Sequence, residues 1–459
     1  MIEYIKPVIL DLINCDERQK AWELIDFYMS HAKTLEDYDA LGYVALKADK
    51  RDTYLTCAEA TYALARTPDQ IYTTRINLYK AYNAMNYPEK ALYYIDMNLQ
   101  VTPDDFETHA QKAFNTSLAG DKETAEAMLE ELVRKNPGSA SKLEAAFSGK
   151  LLRQGNLADG IRSFLETFKP KNGVFEEKLR MKRWDGLVRP GEKLYIDGEG
   201  GIGDEIVNVR FLKRIENVGM KPILYSVGKY RKDTDNLFRR HGIEITNDEF
   251  SIDPRCKWVP LMSLPAYLEL SEDDLWKGPY ITPLRQEKNK IVSSKFKIGI
   301  KCSGNPYFAQ DEYRKIPLET MLQYLPEEAE IYYIDKEEKK HPRVIDLSNR
   351  IESWEDTLDF IDQMDCIVSS CTSLVHAAGA IGKTTFVAVP IAEYYIWTTS
   401  KRDTSSPWYG SNFYVMRQTK VRDWHEPLSQ IEHKVREIMN DRQNIPLYHR
   451  IAKIRVDPS

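Results

Sequence analysis

The chain has 459 residues, 42% of them hydrophobic and 29% charged, with 64 Lys+Arg against 70 Asp+Glu for a net charge of −6. This is an ordinary globular composition, with room for roughly two to four domains, and the acidic balance argues against a general DNA-coating role. No run approaches the ~18 apolar residues of a membrane span.

The N-terminus, MIEYIKPVILDLINCDE, has an apolar stretch broken by Asp11 and Asn14. It lacks the basic start and small-residue cleavage site of a signal peptide. Cys15, Cys57, Cys256, Cys302, Cys366 and Cys371 form no CxxC pair. Reduced thiols in a cytoplasmic protein are expected, with neither a disulfide framework nor a zinc site.

Residues 17–170 read as helical throughout. Pro68, Pro103, Pro137 and Pro170 recur at intervals of 35, 34 and 33 residues, each closing an apolar helical stretch such as ATYALARTP. Each block splits near its middle, at Asn86-Tyr87, Gly120-Asp121 and Gly155-Asn156, and a small residue follows (Ala91, Ala125, Ala158). A period of about 34 residues with a helix–turn–helix in each unit is the tetratricopeptide signature. Such an array binds a peptide or partner protein, or serves as a scaffold for the rest of the chain. Tyr72, Tyr79, Tyr82, Tyr87, Tyr93 and Tyr94 are read as interhelix packing.

Residues 171–192, rich in charge with Pro and Gly, form a linker. In Lys193–Asn208, KLYIDGEGGIGDEIVN, an apolar strand runs into Gly198, Gly200, Gly201 and Gly203 and then a helix opened by Asp204-Glu205. Strand, glycine-rich turn and helix form a ligand loop of a doubly wound α/β domain, or a capped turn alone. The spacing is not that of a dinucleotide fingerprint. Alternating strands and helices continue through KPILYSV (221–227) to about residue 285.

A second α/β domain starts with KIGIKCSGNP (297–306). Strands follow at 329–335, 343–348, 365–370 and 384–390, with helices near 317–325, 356–364 and from 425 on. Two places in it suit phosphate. One is the helix start at Thr372-Ser373, where N–H groups and hydroxyls converge, or where the two simply cap the helix. The other is the loop with Ser303, Asn305, Arg314 and Lys315, since an Arg fork matches phosphate oxygens.

Taken together, GEGGIGDEI, KCSGNPYFAQDEYRKIPLE, SSCTSLVHAAGAIGK and PIAEYYIWTTSKRDTSSPWYGSNFYVMRQ resemble tetratricopeptide-repeat glycosyltransferases of bacteria and phages. These are similar in turn to the heptosyltransferases and to O-linked N-acetylglucosamine transferases. The resemblance runs from the repeats to about residue 430. It implies an α/β fold with an all-α N-terminal part: repeats over 1–170, then a GT-B fold of two facing Rossmann-like domains. The acceptor domain would be 193–285 and the nucleotide-sugar donor domain 286–459.

The implied enzyme is a hexosyl- or heptosyl-type transferase with no metal and no cofactor. Helix termini and basic side chains would stabilise the leaving diphosphate. Asp204 matches the family's general base, with Glu199 and Glu205 as substitutes, and Gly200, Gly201 and Gly203 form the acceptor-side loop. Ser303, Gly304 and Asn305 match the SGN turn, and Arg314, beside Lys315, matches the basic residue aimed at the diphosphate. Thr372, Ser373 and His376 match TSxxH, and Gly379 matches the AGA that follows. Departures are Cys371 in place of Asp, Cys302 in place of Trp, and the polar Asn208. Two alternatives stand beside this reading: a protein-binding module with a vestigial transferase fold, and a transferase acting on modified DNA bases. The repeats also allow a homo-oligomer.

Overall fold

The computed structural model describes residues 2–444 apart from 16, 140–142, 166–172, 227–231, 306–307, 309–310 and 402. Pro170, the 170/171 boundary, the last residue of the 221–227 strand, parts of the 303–314 loop and residues 445–459 therefore lie outside the described residues.

The N-terminal part is a run of antiparallel helix pairs. The helices are Ile2–Asn14, Arg18–Met29, Leu35–Lys47, Arg51–Leu64, Pro68–Ala84, Pro88–Leu99, Phe106–Leu118 and Lys122–Lys135, followed by a shorter pair, Ser148–Arg153 and Leu157–Leu165. Local sequence sets their ends. Thr34 and Thr67 cap helices in boxes closed by Asp37 and Gln70, and Asp105 and Asp121 accept from Thr108 and Thr124 N–H. Pro68 and Pro88 occupy first turns, where no N–H is missed. So Pro68 begins a helix rather than merely ending the one before. From the second pair on, each within-pair turn carries a left-handed residue: Asp49 (φ 58°), Asn86 (58°), Gly120 (106°) and Gly155 (82°). Ala91 and Ala125 are buried where helices meet, and Tyr79 and Tyr82 join the core, whereas Tyr93 is 62% exposed.

The remainder forms two α/β units. In the first, β1 (Lys182–Arg183), β2 (Lys193–Asp197), β3 (Lys221–Tyr225), β4 (Ile245–Thr246) and β5 (Lys257–Pro260) make a parallel sheet in the order β1-β5-β2-β3-β4. The linker read at 171–192 thus supplies an edge strand, Lys182 and Arg183 aligning with Lys257 and Trp258.

In the second unit, β6 (Lys297–Lys301), β7 (Glu330–Tyr333), β8 (Val344–Asp346), β9 (Cys366–Ser370), β10 (Thr385–Val389) and β11 (Phe413–Arg417) are all parallel, in the order β11-β10-β9-β6-β7-β8. Its last helix, His425–Asn444, packs on β10 and β11. Strands β9 and β10 are buried along their whole length, as sheets covered on both faces require.

In each sheet the chain turns back on either side of the first full strand, between β2 and β5 and between β6 and β9. Ligands of open α/β sheets bind outside the carboxyl ends of the strands at these switch points. One continuous core holds residues of both units, including Ile206, Val207 and Phe211 with Leu374, Val375 and Trp408. Among the described residues, no helix is long and apolar enough to cross a membrane.

The within-pair turns of the helical array lie against the second α/β unit. Arg51 Nη2 donates to the Phe308 carbonyl at 2.8 Å, and Tyr313 Oη donates to the Asn83 carbonyl at 2.8 Å. Arg422 bonds the Asn86 carbonyl and Glu89, with its guanidinium 4.0 Å from the Tyr87 ring centre. Lys122 pairs with the nearly buried Glu393 at 2.9 Å. One edge of the array is therefore occupied by the chain itself.

Candidate active site between the two α/β units

β2 delivers its carboxyl end to the glycine-rich turn. Gly200 has φ +77°, and a Cβ there would lie 2.6 Å from Asp204 Oδ2, so the position needs glycine twice over. The helix Ile202–Asn208 starts immediately after. Asp204 folds back at its first turn and accepts from Gly201 N–H at 2.7 Å. The Tyr394 hydroxyl also hydrogen-bonds Asp204; burial, and after it the charge of that carboxylate, hold the Tyr394 phenol well above its ordinary range. Asp204 is thus both a helix cap and a half-buried carboxylate beside a tyrosine of the other unit.

The neighbouring acids sit differently. Glu199 is 7% exposed and accepts from Met262 N–H at 3.3 Å. Burial, and after it the charge of Asp197, push its carboxyl up to about 8, so it carries a proton at neutral pH. Glu205 is fully buried on the same helix. Asn208, also fully buried, donates to the Asp204 carbonyl at 2.9 Å and to Tyr395 Oη at 3.1 Å, which explains a polar residue in an otherwise apolar helix.

In the second unit, β9 ends at Ser370, and Cys371 and Thr372 lead into the helix Ser373–Ala380. Thr372 has the backbone of an N-cap, yet its hydroxyl makes no cap bond; it lies 3.3 Å from Ser369 Oγ. Ser373 is half-buried at the helix start. His376 is 6% exposed, its Nδ1 2.6 Å from Tyr409 Oη and its ring stacked on Trp397 at 5.3 Å. Burial, then Arg210 and Arg314, push it down to about 3, so the ring is neutral. Gly379 is buried where a Cβ would overlap the Tyr409 ring.

The loop after β6 brings Ser303 and Gly304, both half-buried, and the exposed Asn305 toward the same strand ends. Asp311 organises it: Oδ1 accepts from Gly304 N–H at 2.9 Å and from Arg314 Nε at 2.8 Å. Arg314 Nη1 donates to the Cys371 carbonyl at 2.8 Å, and its Nη2 lies over Gly304, where a Cβ would overlap it. Lys315 is exposed and paired with Glu312 at 3.1 Å. The Cys371 thiol is buried and pushed up to about 11 by that burial, so it stays protonated.

The two switch points meet. A Cβ on Gly203 would lie 2.8 Å from His376 Cδ2 and 3.3 Å from the Ser373 Cα, so the first turns of the two helices touch. Asp204 follows Gly203, and Arg314 reaches the loop that leads into Ser373. Two Rossmann-type sheets thus face each other across their ligand-binding edges. This is the GT-B arrangement, behind a tetratricopeptide-like helical part. Helix termini, an Arg fork and a nearby carboxylate can together hold an anion and take a proton.

No family model and no curated protein matches the sequence. Among solved structures, the chain is similar to the bacterial iron-containing dodecameric glycosyltransferase TibC of enterotoxigenic E. coli, at 8% identity and TM-score 0.36 over 57% of this chain and 76% of that one. It is similar to the dodecameric heptosyltransferase TibC in complex with ADP-D-β-D-heptose, at 10% and 0.35 over 57% and 77%. A mutant O-GlcNAc transferase of Thermobaculum terrenum matches at 12% and 0.38, over 96% of this chain and 94% of that one. With TM-scores below 0.5, these likenesses assign no residue a role.

Sequence reasoning did not single out Asp311, Tyr394, Tyr395, Trp397 or Tyr409. The aromatic residues fall inside the PIAEYYIWTT and SSPWYGSN stretches, quoted above only as part of a resemblance.

Proposed function

We propose that the chain is a glycosyltransferase acting at the junction of the two α/β units, with a nucleotide sugar as donor and a hydroxyl group as acceptor. The observation that carries this reading is the contact of Gly203 with Ser373 and His376, which sets Asp204 beside the phosphate-suited helix start. Asp204 takes the proton of the acceptor hydroxyl. That oxygen forms a bond to the anomeric carbon as the bond from this carbon to the diphosphate oxygen breaks. Arg314, Thr372, Ser373 and the N–H groups opening the helix receive the leaving nucleoside diphosphate, so the reading calls for no metal or cofactor. Glu199, protonated at neutral pH, is a poor base beside Asp204.

The test is Asp204→Asn. Asparagine keeps an oxygen for the Gly201 N–H, so the turn survives. Turnover should fall roughly 10²–10⁴-fold while nucleoside diphosphate affinity stays near that of the parent. Turnover close to that of the parent removes Asp204 as the base.

A second reading rests on Arg314, whose Nε and Nη1 are already engaged by Asp311 and the Cys371 carbonyl. In it the donor site is vestigial and the chain is a binding module. A partner protein would then use faces of the array other than the turn edge. Failure to bind any nucleoside diphosphate or nucleotide sugar supports this second reading.

A further inference from the structure

Among the described residues, the helical array hydrogen-bonds the donor-side loop at two points, through Phe308 and through Tyr313, on the N-terminal side of Arg314. Arg51 opens the helix Arg51–Leu64. Its Nε is held by Asp49 Oδ1 at 2.9 Å, and Asp49 is the left-handed residue of that turn. The same guanidinium donates through Nη2 to the Phe308 carbonyl at 2.8 Å. The Phe308 ring in turn lies 4.9 Å from the Arg314 guanidinium. One repeat further on, Asn83 accepts from Tyr313 Oη through its carbonyl at 2.8 Å and its side-chain oxygen at 3.1 Å. Tyr313 is the residue before Arg314 and is 9% exposed. Between these two anchors, Asp311 ties Arg314 to Gly304.

We propose that Arg51 and Asn83 of the helical array are positioning residues of the donor site, holding Phe308 and Tyr313 so that Arg314 stays aimed at the diphosphate. This rests on the reading of Arg314 as a diphosphate ligand. The array is then a working part of the transferase and not only a surface for partners. Neither residue touches the nucleotide. Each acts by removing conformations of the loop in which Arg314 points elsewhere, a pre-organisation that shows in affinity.

The experiment uses the full chain and its Tyr313→Phe, Arg51→Ala and Arg51→Lys variants. Each is titrated with uridine, adenosine and guanosine diphosphates, and amide exchange is read at Gly304 and Lys315. With the parent binding one of the three, Tyr313→Phe and Arg51→Ala should each weaken it about three- to tenfold, the range of one lost hydrogen bond. Exchange at Gly304 and Lys315 should quicken more than at amides of the sheets away from the loop, and Arg51→Lys, which keeps a donor for the Phe308 carbonyl, should restore most of the affinity. Unchanged affinity and exchange in Tyr313→Phe and Arg51→Ala overturn the positioning role alone. A parent chain that binds none of the three overturns the donor-site reading, and the positioning role with it.

Discussion

Gly203 and His376 belong to different α/β units and touch: a Cβ on the glycine would come within 2.8 Å of the His376 ring. Gly203 lies in the first turn of the helix Ile202–Asn208, where alanine has the better intrinsic propensity by up to about 1 kcal/mol. Packing opposes that gain, because the Ser373 backbone on the other side cannot rotate away. Gly203→Ala should therefore destabilise the chain by about 1–3 kcal/mol and lower turnover. Denaturant unfolding and a rate assay check this together; a stabilised variant would mean the two helices can separate freely.

Two buried groups give opposite pH slopes. Glu199 is raised from 4.5 to about 8. The folded chain keeps a proton that the unfolded chain releases, so stability falls as pH rises from about 4.5 to about 8, by at most about 1.4 kcal/mol per unit, and is level above that. Glu199→Gln should remove this decline, most visibly as a gain in Tm at pH 8 relative to pH 5.

His376 is lowered from 6.5 to about 3. Here the unfolded chain binds a proton that the folded chain refuses, so stability is full above about 6.5 and falls as pH drops toward 3. His376→Gln should flatten that acid limb while leaving Tm differences above pH 7 unaffected by pH. A ring that titrates near 6.5 in the folded chain by NMR would contradict the buried, neutral assignment.

Arg314 and Tyr395 are worth testing side by side. Arg314→Ala removes the fork at the donor side and should weaken nucleoside diphosphate binding roughly tenfold or more, read by calorimetry. Tyr395→Phe deletes the oxygen that accepts from Asn208 at 3.1 Å. It should cost about 1 kcal/mol of stability and leave the nucleotide affinity of the folded chain unchanged.

The repeats were legible because their turns demand particular residues at fixed spacing. Asn86, Gly120 and Gly155 mark three of the four left-handed positions, and only Asp49 carried no glycine or asparagine to announce it. The long buried strands were legible as apolar runs. β11, Phe413–Arg417, was not, since its half-buried Tyr414 and Arg417 break the run, and the two-residue β1 is too short to read. The three ligand-suited turns could be located from strand–turn–helix order. What surrounds them could not, because the partners lie far away in sequence: Tyr409 is 33 residues from His376, and Tyr395 is 187 from Asn208. The same distance hid the fate of Glu199, whose proton is held by burial and by the charge of Asp197, against the Met262 N–H that favours the ionised form. Thr372 was readable as a cap, but its side chain turns to Ser369 instead.

The central claim is that the junction of the two units binds a nucleotide-sugar donor, and thermal unfolding of the full chain against a panel of nucleoside diphosphates and nucleotide sugars tests it most directly. The account predicts that at least one compound raises Tm, and that the rise grows with the logarithm of its concentration as binding to the folded state requires. No rise from any member of the panel would contradict it.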